Sequence, residues 1–466
     1  MQKAREDSGW RNVVSTWPLW QCLAAAMAVG PAAAAAPAAA QVAPPVELTA
    51  SGRVMASLSD ATLRDLAIQV LQRNPRIAAA VAQARAARLV APQAKALPDP
   101  MLGATAYASS PETRVGPQTF TGTISQKLPW SGKLGLKEKA ALERADALEA
   151  QVEARRLELV TDTRRLYYDL AFLDAWSKVV ESDRATLDHY EELARTRYAS
   201  GVGIEQAVVK IQAEITKDDA RLLEIASRRA GLVAELNALR DEPQATPVAG
   251  PTVPDYGEIT IDRAALRDRA LALRPEMRRA GFEIARAETG IAIARKEYKP
   301  DLTLGATYTW VGPRGDAAGI AAPPPDNGKD IFAISASINL PIHRGRLKAG
   351  VEEAAELRRA ADEGERDVVT DIDRSLGELT ERVALTWKQL RLLRDVLGIQ
   401  ADQSLRSAEA GYTAGTLGSL DLLDAERVLL EVRTAIERTR ADYAIAVARL
   451  EGAVGEPVRA AEGASR

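Results

Sequence analysis

The sequence predicts a mainly α-helical chain with a β-barrel part. Long antiparallel coiled-coil helices form one section, and four transmembrane strands per chain contribute to a barrel shared between copies. Three observations predict this fold: an internal tandem repeat, apolar residues at every seventh position, and short segments that alternate apolar with hydroxylated side chains. Sevenfold spacing is typical of coiled coils, and strict alternation is typical of strands with one apolar face.

The composition is that of a polar chain without a strong charge excess. Of the 466 residues, 27% are charged, and the formal net charge is -3. Such a chain is too polar to be a bundle of membrane helices, and a nucleic-acid surface would need a marked basic excess. We therefore expect no nucleic-acid partner.

Residues 1–40 have the features of a secretory signal peptide. Lys3 and Arg5 precede an apolar, alanine-rich stretch at 19–36, and small residues then offer a cleavage site. A transmembrane anchor is the alternative, but prolines interrupt the apolar stretch. Cys22 is the only cysteine, so cleavage near residue 40 leaves a mature chain with no disulfide and no thiolate metal site.

The chain repeats itself once, and this repeat sets its organisation. Several short motifs occur twice in the same order: Asn74-Pro75 and Arg274-Pro275, Pro98-Asp99 and Pro300-Asp301, Leu102-Gly103-Ala104-Thr105 and Leu304-Gly305-Ala306-Thr307, Leu128-Pro129 and Leu340-Pro341, Gly132-Lys133 and Gly345-Arg346, Tyr198-x-x-Gly201 and Tyr412-x-x-Gly415. Ordered matches of this kind indicate a tandem duplication. We place the first repeat at 58–240 and the second at 260–456.

Three segments lie outside the repeats and the signal peptide. They are an N-terminal linker at 41–57, a Pro-rich linker at 241–259 and a C-terminal tail at 457–466. Four prolines in the middle linker predict an extended connection. Within each repeat the order of elements is helix, strand, strand, long helix, helix.

The strands carry the clearest pattern. Apolar and aromatic residues alternate with threonine, serine and glycine, so each strand has one apolar and one polar face. We expect the apolar face to meet lipid and the polar face to line a wet lumen; a soluble hairpin packed on helices is the alternative. The residues predicted to face lipid are Phe120, Ile124, Leu302, Leu304, Tyr308, Trp310, Phe332, Ile334 and Ile338.

The helices carry heptads. In the first repeat the sevenfold row of the long helix is Val152, Leu159, Leu166, Leu173, Val180 and Leu187, and in the second repeat it is Val369, Leu376, Val383, Leu390 and Leu397. The last helix has Leu422, Leu429, Ile436, Tyr443 and Leu450, and its first-repeat counterpart has Val208, Ile215, Leu222 and Leu236, with Arg229 interrupting that row. A helix over 132–196 would be roughly 100 Å long at 1.5 Å per residue. The helices at 59–97 and 204–240 would each be near half that length.

Four strands cannot close a barrel in a membrane, because single-chain bacterial barrels begin at about eight strands. An open sheet edge in lipid leaves backbone groups unpaired at a cost of several kcal/mol each. We therefore expect copies of the chain to pool their strands by cyclic symmetry. Three copies would supply twelve strands, although the sequence alone does not choose three over two or four.

Taken together, these motifs resemble the outer-membrane efflux protein family, the TolC-like channels. The resemblance covers residues 58–456, and its motifs include the repeated Leu-Pro pairs, Ser131-Gly132-Lys133, Tyr198-Ala199-Ser200-Gly201, Tyr412-Thr413-Ala414-Gly415 and Asp421-Leu422-Leu423-Asp424. The resemblance implies a homotrimer in the cell outer membrane, with a helical tunnel in the periplasm. It also implies outer-membrane lipid, a periplasmic adaptor (membrane fusion) protein and an inner-membrane efflux pump as partners.

The resemblance assigns roles to the two helix-to-helix turns at the periplasmic end, around 197–203 and 411–418. They would be the adaptor-docking tips, although glycines there also suit ordinary tight turns. The docking residues are Arg197, Tyr198, Gly201, Val202, Gly203, Gly411, Gly415, Thr416, Leu417 and Gly418.

A pore gate is predicted just beyond the second turn. Asp421 and Asp424 are three residues apart and so project to one helix face. Under threefold symmetry they would form two carboxylate rings that bind cations; a solvated helix face is the alternative. The resemblance adds Tyr412 to the gate. Leu417 and Ala207 depart from the family pattern, which carries a basic residue at the first position.

No enzyme is expected, because only His189 and His343 are present and no catalytic, cofactor-binding or metal-ligand spacing occurs. Two alternatives stay open. The same fold could serve heavy-metal cation efflux or type I protein secretion, which the partner pump would decide. A soluble periplasmic coiled-coil scaffold would explain the heptads but not the alternating strands.

Overall fold

The computed structural model describes residues 49–458. The predicted signal peptide, Cys22 and most of the C-terminal tail lie outside the described residues. The helices are α1 (Ala50–Ala56), α2 (Ala61–Arg73), α3 (Pro75–Arg88), α4 (Val90–Lys95), α5 (Lys133–Ala199), α6 (Glu205–Leu239), α7 (Arg263–Leu273), α8 (Pro275–Lys296), α9 (Ala317–Ala321), α10 (Arg344–Leu392), α11 (Gly398–Ala414) and α12 (Ser419–Val454). The strands are β1 (Met101–Ala106), β2 (Glu112–Thr113), β3 (Gly116–Leu128), β4 (Leu302–Val311) and β5 (Ile331–Ile338).

The four main strands form one antiparallel sheet in the order β1-β3-β4-β5, and the short β2 pairs with β3. Cross-strand partners share a face, so the register aligns Leu304 with Ala336 and Tyr308 with Phe332. On the other face, the hydroxyls of Thr121 and Thr309 lie 3.1 Å apart. The sheet therefore has one apolar and one hydroxylated face, as the alternation predicts.

The predicted heptads lie along the packed face of α5, a helix of 67 residues. All six residues of its sevenfold row, from Val152 to Leu187, are buried. In the second repeat Leu376, Val383 and Leu390 of the row are buried, whereas Val369 is half-buried and Leu397 is 38% exposed. A π-helical segment at Leu393–Leu397 separates α10 from α11, and the wider turn rotates the row out of its register. None of the described helices is both long and apolar enough to cross a bilayer.

The segment expected as one helix at 59–97 is instead divided into α2, α3 and α4. The first break is at Asn74, which ends α2 and whose side chain accepts a hydrogen bond from the backbone N–H of Arg76 at 2.9 Å. Pro75 then occupies the first position of α3, where its missing N–H costs nothing. Arg274-Pro275 makes the corresponding break between α7 and α8, so the repeated X-Pro motif is a helix boundary in both repeats.

The main core lies where both repeats meet midway along α5. Residues of the Pro-rich linker contribute to this core: Val248 and Tyr256 are buried there, and the Tyr256 hydroxyl lies 2.8 Å from that of Tyr168. Beside them, Arg164 and Glu451 form an ion pair at 2.6 Å with both side chains fully buried. The linker is thus packed against the helices along part of its length. Residues 50–56, expected within a linker, form α1 in the same core.

Candidate functional site

The turn between α5 and α6 is held by backbone hydrogen bonds that close the end of α5. The N–H groups of Val202 and Gly203 both donate to the carbonyl of Arg197, at 3.1 and 2.9 Å. Gly201 has φ +77, a conformation that glycine adopts without strain. At Gly203 a Cβ would meet the backbone N of Tyr198 at 2.9 Å, so the turn has no room for a side chain there.

The turn between α11 and α12 has the same construction. The N–H groups of Thr416 and Leu417 donate to the carbonyl of Gly411, at 2.9 and 3.1 Å. Gly415 has φ +77, the same value as Gly201 in the first turn. The repeated Tyr-x-x-Gly motif therefore specifies two equivalent helix ends, which we call tip 1 (197–203) and tip 2 (411–418).

Arg197 joins the two tips. Its guanidinium lies over the ring of Tyr412, 4.7 Å from the centroid, and its Nη1 donates a hydrogen bond to the Tyr412 carbonyl. Tyr412 is only 5% exposed, so this cation–π contact is largely shielded from water. Arg197 thus fixes the end of α5 to the end of α11.

A small core of four helices lies directly behind the tips. It combines Leu187 and Tyr190 of α5, Ile211 of α6 and Leu422 of α12 with Tyr412. The hydroxyl of Tyr190 also donates to the carboxylate of Glu409 on α11. Burial and this hydrogen bond raise the pKa of Tyr190. Each tip is therefore supported by the helices of both repeats.

Asp421 and Asp424 occupy one exposed face at the start of α12. The Asp421 carboxylate accepts a hydrogen bond from the backbone N–H of Gly418 at 3.0 Å, which caps the helix N-terminus. Tyr412, the third predicted gate residue, does not share this face, because it is buried beneath Arg197. The structure therefore brings the two aspartates together and places Tyr412 in the support behind them.

A family comparison decides the identity of the chain. The family model for the outer membrane efflux protein matches residues 66–240 and 266–456. The chain belongs to the outer membrane efflux protein family. This efflux protein therefore lies in the cell outer membrane and extends into the periplasm.

Its relatives and its fold agree with that assignment. Nodulation protein T of Rhizobium leguminosarum bv. trifolii is 23% identical, over 79% of this chain and 80% of its own. The outer membrane protein TolC of Vibrio cholerae is 22% identical, over 72% of this chain and 75% of its own. The structure of the outer membrane protein VceC from Vibrio cholerae superposes with a TM-score of 0.71 at 23% identity, covering 88% of this chain and all of that one.

The predicted lipid-facing residues of this efflux protein all lie on one face of the sheet, because the register pairs them with one another across strands. Phe120 pairs with Trp310, and Leu302 pairs with Ile338. The side chains of Phe332 and Ile334 are 64% and 78% exposed. Lipid contact itself remains a prediction.

Glu426 is a further residue near the tips that the sequence analysis missed. It is 4% exposed, and its Oε1 has no hydrogen-bond partner among the described residues. Burial raises the pKa of Glu426 to about 7, against the smaller opposing effects of Arg427 and Arg433. The sequence did contain a signal of this burial. Glu426 follows Leu422 by four residues and precedes Leu429 by three, which places it on the packed face of α12.

Proposed function

We propose that this chain is the outer-membrane duct of a tripartite efflux system. In this proposal a homotrimer forms a passive channel that receives cargo from an inner-membrane pump through a periplasmic adaptor. The observation that carries it is a sheet with an exposed apolar face set at the end of a 67-residue helix opposite the tips. A sheet of this kind fits lipid, and roughly 100 Å of helix fits a tunnel that leads away from it.

The tips are the proposed docking surface for the adaptor. They are the ends of the helical section farthest from the sheet, and they expose apolar side chains of Val202, Leu417 and Leu420. Val202 is 70% exposed and Leu420 is 58% exposed, so the tips offer apolar surface to a partner. Both tips are closed by backbone hydrogen bonds, which set the positions from which these side chains project.

Asp421 and Asp424 are the proposed gate. In a cyclic assembly they repeat in every copy, and carboxylates that crowd a narrow mouth attract cations and hinder their passage. Tyr412 acts indirectly in this proposal, because its contact with Arg197 holds the end of α11 against the end of α5, next to the turn that leads to Asp421. The N-terminal cap that Asp421 makes is compatible with a role in the gate.

Single-channel recording in planar bilayers tests the gate and the duct together. The variant Asp421→Asn with Asp424→Asn removes two charges but keeps an oxygen to cap α12. We expect larger conductance and weaker block by multivalent cations. The control, Asp367→Asn with Glu381→Gln, removes two exposed acids of α10 far from the tips and should leave both properties unchanged.

Two results would count against the proposal. Unchanged conductance and block in the tip variant would remove the gate assignment and leave the duct. Absence of channels from the unmodified protein, together with recovery in the soluble periplasmic fraction, would favour a coiled-coil scaffold instead.

A further inference from the structure

The two ends of the sheet differ strongly in charge. At one end the strands meet the helices, and we call the segments there the helix rim: 95–101, 127–139, 295–301 and 339–348. The helix rim holds eleven lysines and arginines against four acidic residues. The loops at the other end, 107–117 and 311–331, hold three basic residues against four acidic ones. Because the whole chain has a formal net charge of -3, the basic excess is local to the helix rim.

Contacts within one copy bring three segments of the helix rim together. The Nζ of Lys296, at the end of α8, donates to the backbone carbonyl of Ser131 at 3.3 Å. The guanidinium of Arg344, at the start of α10, lies 5.6 Å from the centroid of the Tyr298 ring. These two contacts join the segment before α5, the segment after α8 and the segment before α10. Their charges therefore belong to one surface.

Part of the positive charge on the helix rim is neutralised within the chain. The carboxylate of Asp301 lies 2.9 Å from the Nζ of Lys133 and 3.2 Å from that of Lys127. Lys95 pairs with Glu138 at 3.1 Å. Other basic residues of the rim are exposed and form no ion pair with any residue of the described range 49–458: Lys137, Arg295, Lys299, Arg344 and Arg346. These five cationic groups are available to an anionic partner.

Apolar side chains reach the helix rim as well. Trp130, Leu340 and Ile342, just beyond the strands, are 42%, 68% and 70% exposed. Trp130 follows Phe120 by ten residues, and the register pairs Phe120 with Trp310 near the other end of the sheet. Ten extended residues tilted by about 40° cross roughly 25 Å, which is the height of the apolar band of outer-membrane barrels. Trp130 and Trp310 thus lie at opposite boundaries of that band.

We propose that the helix rim binds the headgroups of anionic phospholipids in the periplasmic leaflet of the outer membrane. Its apolar side chains contact the acyl chains, and the cationic ends of Lys299, Arg344 and Arg346 reach the headgroup phosphates. The helical section extends into the periplasm, so the helix rim meets the leaflet on that side. The inference rests on the proposed function, since it names the lipid class around the duct where it leaves the bilayer.

A role for these cations inside a water-filled lumen is the competing interpretation. The hydroxylated face of the sheet ends at Lys127, which pairs with Thr303 across the strands and whose charge Asp301 neutralises. Arg344 instead follows the exposed Ile342 by two residues and lies over an aromatic ring. Cationic groups beside exposed apolar and aromatic side chains are typical of a membrane boundary. This neighbourhood favours lipid as the partner.

Tryptophan quenching tests the lipid class at each boundary. The oligomer is reconstituted in mixed vesicles of phosphatidylglycerol and phosphatidylcholine, with bromine on one lipid or the other, because bromine quenches only tryptophans in contact with it. Subtracting the signal of Trp130→Phe or Trp310→Phe isolates each residue. The two tryptophans are 42% and 43% exposed, so they are matched reporters. We expect phosphatidylglycerol to be preferred about fivefold at Trp130 and not preferred at Trp310.

Charge variants show which groups select the lipid. Lys299→Gln with Arg344→Gln removes two unpaired cations and should abolish the preference at Trp130. The control, Arg359→Gln with Arg366→Gln, removes the same charge from exposed positions farther along α10 and should keep the preference. Salt at about 1 M should also abolish it, because the Debye length then falls to about 3 Å. A preference that survives the first variant overturns the assignment to these residues.

The outcomes separate this inference from the proposed function, because channels are recorded in the same vesicles. Equal quenching of Trp130 by both lipids, or none, in vesicles that conduct overturns the phospholipid site and leaves the duct. If Lys299→Gln with Arg344→Gln changes anion selectivity but not lipid preference, the cations line the lumen and the inference is also overturned. Vesicles with neither channels nor quenching overturn both.

Discussion

The guanidinium of Arg197 lies 4.7 Å from the ring centroid of Tyr412 and also donates to the Tyr412 carbonyl. These two residues are 215 positions apart and belong to different repeats. One side chain therefore couples tip 1 to tip 2. Because the two tips carry the proposed docking surface and lie beside the proposed gate, loss of this contact should change the motion of both.

Arg197→Ala should loosen tip 2. The cation–π contact and the hydrogen bond together stabilise the closed turn by about 1–2 kcal/mol, so amide hydrogen exchange over 411–417 should become roughly tenfold faster. The exchange rate in Arg197→Lys should lie between those of the unmodified protein and Arg197→Ala, because an ammonium group lacks the planar, several-donor geometry of a guanidinium. Arg195→Ala removes a neighbouring exposed arginine and should leave exchange unchanged. Equal exchange in all three variants would contradict the coupling.

Glu426→Gln should change how stability depends on pH. The pKa of Glu426 is raised to about 7 in the folded chain, above its ordinary value of 4.5. Because the folded chain binds this proton more tightly than the unfolded chain, Glu426 contributes to the free energy of unfolding. That contribution is fully present below pH 4.5 and is lost as the pH rises through 7. The free energy of unfolding of the unmodified protein should therefore fall by up to about 3 kcal/mol between pH 5 and pH 8, and that of Glu426→Gln should not show this fall.

Thermal unfolding at pH 5 and pH 8 measures this difference. Glu431→Gln, an exposed substitution on the same helix, is the control and should follow the unmodified protein. Parallel curves for Glu426→Gln and the unmodified protein would show that Glu426 is not the group responsible.

Gly201→Ala and Gly415→Ala should each destabilise a tip. Both positions have φ +77, where a Cβ costs about 1–2 kcal/mol. Gly231→Ala provides the matched control, because Gly231 lies inside α6 with open space around it and alanine there should stabilise by about 0.5–1 kcal/mol. The unfolding midpoint should fall in the two tip variants and rise in Gly231→Ala. Shifts in the same direction for all three variants would argue against strain at the tips.

Ile334→Lys and Ser335→Lys compare the two faces of β5. Ile334 lies on the apolar face, and Ser335 is its neighbour on the hydroxylated face. A lysine facing lipid at the bilayer midplane costs about 2–4 kcal/mol, so Ile334→Lys should reduce assembly in the outer membrane. Ser335→Lys should assemble and shift channel selectivity toward anions. Membrane fractionation and bilayer recording measure both effects, and equal loss of assembly would contradict the lipid-facing assignment.

Much of this fold could be predicted from the sequence because its signals are local. The alternation of β4 and β5, the heptads of α5 and the repeated Tyr-x-x-Gly turns each depend on neighbouring residues and a fixed backbone period. The internal repeat added to these signals, because an element recognised in one half of the chain could be assigned to the corresponding segment of the other half. The same reasoning missed the division of 59–97 into three helices, the first boundary of which is the Asn74-Pro75 motif.

The amino-acid sequence by itself determined the duplicated architecture, the two-faced strands and the family. Only the tertiary structure decided that Arg197 lies over Tyr412, that Glu426 is buried beside Leu422 and that Tyr256 of the linker contacts Tyr168. These relationships depend on which helix faces meet and on how the helices are positioned along one another's axes. Periodicity tells which side of a helix is packed, but the partner across the interface is set by the packing of the whole chain.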